Sequence, residues 1–323
     1  MKKKVSICIG RFQKLYGPFK ALEVAKQVGA DAVDFTLTGY YDCLKEGNLY
    51  TQGEEAVVAH FTELKKHADQ IGIEIAQTHG RIKGLRKDPV KDAGFYEGSK
   101  YDCIATRILG AKHCVFHTVS TSLVPKGTTP EEMHRLNYEM FLGILPYAKE
   151  NGIKIATETF GNLGPDYTKM DFFGDIEQFV KGYEAIASVE EFRDYFCCCV
   201  DTGHSNAAAH WPGQPSVPEV IRRLGSSVEV LHINDNEGLT DMHAAPFVRS
   251  HPRTGAVNWE EVFQALDEIG YQGYYNLELG LNTYGWNFAT EEAVFAVKVM
   301  RNLLSMYGGE EAEGFIDETP FLD

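Results

Sequence analysis

The chain has 323 residues, 44% hydrophobic and 24% charged, which is the composition of a globular protein with a sizeable core. Its net charge of −15 repels a phosphate backbone and argues against a nucleic-acid partner. No apolar run approaches the roughly 20 residues that span a bilayer, and seven cysteines, some of them consecutive, do not make a secreted disulfide framework. A reducing cytoplasm is therefore the expected compartment. The basic start, MKKKVSICIG, reads as a first strand and not as a signal peptide. The one basic stretch, Gly80–Lys87, reads as a solvated loop.

Eight short apolar runs follow in order: Val5–Gly10, Ala32–Thr36, Ile73–His79, His113–Val119, Ile153–Thr159, Phe196–His204, Val228–Asp235 and Tyr274–Gly280. Their continuous, often β-branched character marks strands buried on both faces. Amphipathic stretches such as 54–72 and 131–152 separate them, opening after acidic or Ser/Thr caps and closing at glycine. Gly29, Gly72, Gly110, Gly152 and Gly270 each precede a short turn and a strand, which predicts left-handed helix ends. Eight strand-then-helix units with no dividing linker predict an α/β fold, one (β/α)8 TIM barrel over residues 1–306. The acidic tail, 307–323, is expected to be peripheral, with Phe315 and Phe321 available to dock it.

In such a barrel the chemistry sits where strands end and loops begin. Here those ends carry His79, His117, Glu158, Asp201 with His204, His232 and Glu278; Asp241 and His243 follow the seventh strand. Six consecutive strand ends bearing imidazole or carboxylate point to a site. The run FCCCVDTGH raises the alternative of a thiolate cluster, and strand parity decides against it. If Asp201 faces the barrel axis, so do Cys197 and Cys199, while Cys198 faces the helices. The inward thiols then act as small core hydrophobes. The same rule places Gln77 under His79, Val115 under His117, Ala156 under Glu158, Val230 under His232 and Asn276 under Glu278. A set of two Glu, one Asp and one His suits Mn²⁺, Mg²⁺, Co²⁺ or Zn²⁺. Asn234 or Asp235 is placed to support the ligands from the following loop. Phe12, Tyr40 and Phe160 follow strands and are candidates to wall the mouth and stack on a sugar ring, whereas Trp259 reads as structural.

At these residues the chain resembles the sugar phosphate isomerase/epimerase superfamily, the xylose isomerase-like TIM barrels. The resemblance runs through VDTGH (Val200–His204), residues 218–238, DMHAAP (Asp241–Pro246) and residues 255–279. It implies Glu158, Asp201, His232 and Glu278 as ligands of one divalent metal, manganese foremost, and His204 as a substrate-oxygen contact. His79, His117, Asp241, His243 and Arg253 are candidates for further substrate contacts. In the ketose 3-epimerase branch the two ligating glutamates, here Glu158 and Glu278, also act as acid and base about a metal-stabilised enediolate. The implied partner is a small-molecule carbohydrate, and barrels of this kind often assemble into homo-oligomers.

Two departures bear on substrate. The epimerase branch has arginine where this chain has Gly238, and its short loop is here HAAPFVRSHPRTG, bringing Arg249, His251 and Arg253. Inosose dehydratases and C-glycoside-cleaving lyases share the same frame. Endonuclease IV-like trinuclear zinc phosphodiesterases compete, because His79, His117, Glu158, Asp201, His204, His232, Asp241, His243 and Glu278 fall at all nine of their ligand positions. The acidic charge and the short His232-to-Asp241 spacing weigh against that reading. A non-catalytic sugar-binding barrel is the remaining alternative, and retention of both glutamates opposes it.

Overall fold

Each of the eight apolar runs forms a strand, for the reason the pattern gave: no polar face is left for water. The computed structural model describes residues 3–38, 41–163, 169–247 and 256–307. Its strands are β1 Val5–Cys8, β2 Ala32–Thr36, β3 Glu74–His79, β4 His113–His117, β5 Lys154–Glu158, β6 Asn162–Leu163, β7 Lys169–Met170, β8 Phe196–Asp201, β9 Val228–His232 and β10 Tyr275–Leu277. Eight are parallel, in the order β10-β1-β2-β3-β4-β5-β8-β9. The ring closes where Ile233 N donates to Asn276 O at 2.7 Å and Glu278 N donates to Ile233 O at 3.0 Å. The antiparallel pair β6–β7 belongs to the loop after β5. The described residues thus form the TIM barrel expected from the sequence.

The helices end as their glycines require. Gly29, Gly72, Gly110, Gly152 and Gly270 all have φ between 64° and 87°, a region that costs other residues strain. The helix Pro130–Asn151 begins with a reciprocal Thr129–Glu132 capping box. The first run differs from expectation: the strand stops at Cys8 and a helix starts at Gly10. There a Cβ would lie 2.6 Å from Thr36 Oγ1, so only glycine lets the chain turn this close to β2.

Parity holds in the barrel interior. Val115, Ala156, Cys197, Cys199 and Val230 form a separate buried cluster on the axis, while Cys198 joins the larger core between strands and helices. All seven cysteines are free. The opposite half of the interior is polar: Asp34 Oδ2 accepts bonds from Gln77 Nε2 and Asn276 Nδ2, both at 3.2 Å. This split interior is what the site stands on. Among the described residues no helix is long and apolar enough to cross a membrane.

Candidate metal centre and active site

The strand-end residues converge at the C-terminal mouth. His79, His117, Glu158, Asp201 and His232 are the last residues of their strands, and Glu278 lies one residue beyond β10. Glu158, Asp201, His232 and Glu278 each offer a ligand atom within 4.8 Å of the others. His232 Nδ1 sits 3.0 Å from Glu158 Oε1 and 3.1 Å from Glu278 Oε2. Glu158, Asp201 and His232 are wholly buried. Three carboxylates in that volume repel one another strongly unless cations intervene.

The donor set fits a divalent cation. Glu158 Oε2 and Glu278 Oε2 are buried and lie near imidazole nitrogens without an aligned hydrogen bond, and a buried carboxylate oxygen that lacks one is costly. One nitrogen with several carboxylate oxygens is the donor chemistry of Mn²⁺, Mg²⁺, Co²⁺ or Zn²⁺. Around this set, His117 Nε2 lies 3.0 Å and His79 Nε2 3.5 Å from Glu158 Oε2. His204 Nε2 and His243 Nε2 lie 3.4 and 3.1 Å from Asp241 Oδ1. His204, Asp241 and His243 form a second potential cation cluster, and His79, Glu158 and His232 a third. His243 adopts φ 49°, unusual for a histidine, which brings its Nδ1 to 3.1 Å from Glu278 O.

The DTGH motif builds one wall of the site. Asp201 caps the helix Thr202–Ala209, accepting from His204 N at 2.6 Å, so its carboxylate is fixed by the helix start. Its other oxygen accepts from Asn234 Nδ2 at 2.8 Å. A Cβ on Gly203 would fall 1.8 Å from Asn234 Oδ1, so glycine is what admits this support. Asp235, the other candidate supporter, turns away and accepts from Trp259 Nε1 at 3.1 Å, and Trp259 is buried structure as expected.

Asp34 escaped the sequence reading. It is fully buried at the axis, with Oδ2 3.3 Å from His232 Nε2, directly beneath the ligand set. Phe12 is also fully buried, so it packs the core and does not wall the mouth. Phe160 does reach the site, with its ring 5.3 Å from that of His117 and 5.2 Å from that of His204. Gly238 has φ 81°, and a Cβ there would collide with the His210 ring at about 2 Å. The side chain of the epimerase-type arginine therefore has no room at this position. Tyr40, Arg249, His251, Arg253, Phe315 and Phe321 lie outside the described residues.

Electrostatics couple the cluster to protons. Burial by itself would lower the pKa of His232 and His204, but neighbouring groups hold both well above the ordinary value: Asp201 and Asp241 for His204, and Cys199, Glu278 and Glu158 for His232. Burial would likewise raise Glu158, yet His117 and His232 keep it well below the carboxylate range. With the His232 pKa raised, a cation competes with a proton for that imidazole. The sign follows: affinity for Mn²⁺ should strengthen as pH rises from about 6 to about 8, with proton uptake by a weak buffer on binding. Calorimetric titration at both pH values checks this, and equal affinities would contradict it.

The chain belongs to the xylose isomerase-like TIM barrel family, whose model matches residues 22–301. An inosose isomerase from Bacillus subtilis is 24% identical over 192 residues, 59% of this chain and 62% of that protein. The match therefore spans less than two thirds of the curated relative's length. Among solved structures, a D-tagatose 3-epimerase-like protein superposes with a TM-score of 0.69 at 18% identity, covering 95% of this chain and 98% of that one. An IolI protein with a bound zinc superposes with a TM-score of 0.68 at 18% identity, covering 94% and 99%. At such identities the superpositions establish the shared fold.

Proposed function

We propose that this protein is a divalent-metal-dependent isomerase or epimerase of a sugar, keto-sugar or related polyol. The observation that carries the reading is the pair Glu158 and Glu278, each within 3.1 Å of His232 Nδ1 and sharing one cluster with Asp201. Glu158, Asp201, His232 and Glu278 would hold the ion, which supplies Lewis-acid polarisation of a carbonyl and charge to offset the enediolate. One glutamate takes the proton from the carbon beside the carbonyl, and the other returns a proton to the reacting centre. His204, His79 and His117 ring the cluster and are positioned to donate to substrate hydroxyls. Phe160 offers an apolar face beside them. The names of the inosose isomerase and tagatose epimerase-like relatives agree with this chemistry.

The test is a screen of ketoses and inososes with Mn²⁺-loaded protein in deuterated water. Isomerised product carrying deuterium at the reacting carbon is the expected result. No product and no exchange with any of them would overturn the assignment. Net loss of water or cleavage of a C-glycoside in the same screen would move it to the dehydratase or lyase branch.

A second reading has its own observation behind it. The nine residues at endonuclease IV-type positions are brought together, with His204, Asp241 and His243 forming a further ligand trio. Elemental mass spectrometry of protein purified without chelator separates the two. One ion per chain, or two with the second lost on substitution of a residue outside the mouth, supports the isomerase. Three zinc ions there, with cleavage of abasic-site DNA, would support a trinuclear phosphodiesterase.

A further inference from the structure

The opposite end of the barrel carries a cluster that the mouth chemistry does not use. His113 and Lys154 open β4 and β5, Cys197 is the second residue of β8, and Glu229 the second of β9. Glu229 Oε2 lies 3.0 Å from His113 Nε2, and its Oε1 lies 2.5 Å from Lys154 Nζ. Cys197 Sγ completes a trio with His113 and Glu229 whose ligand atoms fall within 4.8 Å of one another. The thiol is buried on the barrel axis, whereas His113 and Glu229 are partly open to a cavity of about 810 Å³.

A backbone irregularity creates the arrangement. Pairing between β8 and β9 passes from Cys198–Val228 to Cys199–Val230, leaving Glu229 as one residue more than β8 can match. Regular alternation would send Glu229 outward with Leu231, which packs in the outer core. The bulge instead re-aims its carboxylate beneath the axis, as bulges do next to functional groups. Glu229 thereby reaches His113 across two intervening strands.

We propose that His113, Cys197 and Glu229 form a second cation site at the barrel floor, selective for a zinc-class ion over the harder ions suited to the mouth. One imidazole nitrogen, one thiolate and one carboxylate oxygen supply three ligands, and the cavity supplies a water for the fourth position. Sulfur ligation favours Zn²⁺ over Mg²⁺ or Mn²⁺. On binding, the Cys197 S–H bond gives way to a sulfur–metal bond, and the proton passes to bulk solvent. Lys154 remains on Oε1, holding the carboxylate while Oε2 turns to the ion. The lower face of a TIM barrel serves stability, so the ion would clamp β4, β8 and β9.

Cobalt tests this without reference to turnover. The mouth set contains only oxygen and nitrogen ligands, so Co²⁺ there gives no thiolate charge-transfer absorption. Metal-free full-length protein titrated with Co²⁺ should develop that near-ultraviolet band to one ion per chain. The band should be lost in Cys197→Ser and in Glu229→Gln, and retained in Cys199→Ser and Glu158→Gln. Glu229 is about one-third exposed, so its substitution leaves the core packing intact should Cys197→Ser fail to fold. A wild-type titration without the band, or a band that survives Cys197→Ser or Glu229→Gln, would overturn the site.

Discussion

Replacing either Glu158 or Glu278 by glutamine is expected to lower kcat by about a thousandfold or more at saturating Mn²⁺, with the circular dichroism spectrum unchanged. Glutamine keeps the shape, so packing around the fully buried Glu158 survives. It cannot carry a proton, and it removes one of the negative charges that hold the cation. Saturating metal separates these two losses: restored ion content without restored turnover isolates the proton-transfer role. The two carboxylates occupy different positions, since Glu158 ends β5 and Glu278 lies one residue beyond β10. Each should therefore fail individually. Appreciable activity in both variants would sink the assignment of the pair as acid and base.

The strand-end cluster was legible from sequence because two simple patterns located it. Buried parallel strands read as apolar runs, and the barrel rule marks their C-terminal ends as the place for chemistry. His79, His117, Glu158, Asp201 and His232 needed nothing more, and parity correctly placed Cys197 and Cys199 inside and Cys198 outside. Asp34 was missed although its signal was present, a lone carboxylate within the apolar run AVDFT. The same parity rule, applied to β2, would have put it on the axis. Other features depend on contacts between distant segments that no local pattern encodes. The His210 ring that fills the space at Gly238 is one. The bulge that turns Glu229 inward is another, because register between β8 and β9 is a property of the pair. Phe12 follows a strand, as a mouth residue should, but the early helix turn at Gly10 carries it into the core.

Asp34→Asn is expected to weaken Mn²⁺ binding by about 10- to 100-fold, although Asp34 lies outside the proposed ligand set. A carboxylate only accepts hydrogen bonds. At Asp34 Oδ2 it faces Gln77 Nε2 and Asn276 Nδ2 at 3.2 Å and His232 Nε2 at 3.3 Å. The Asp34 charge beside Nε2 favours a proton there and leaves Nδ1, with its lone pair once deprotonated, facing Glu158 and Glu278. Asparagine can keep an acceptor at that position, with its amide group where Asp34 Oδ1 has no hydrogen-bond partner, but it loses the negative charge that draws the Nε2 proton. The pH dependence discriminates this from simple loosening of the core. Asp34 also helps to raise the pKa of His232, so its removal reduces proton competition for Nδ1. The affinity deficit should therefore be largest at high pH, where wild-type His232 is neutral and fully benefits from being oriented. It should narrow as pH falls and the wild type must shed a more tightly held proton. Equal affinity for wild type and Asp34→Asn across that range would show that His232 is oriented by the barrel walls alone, and a deficit constant with pH would point to loosened packing.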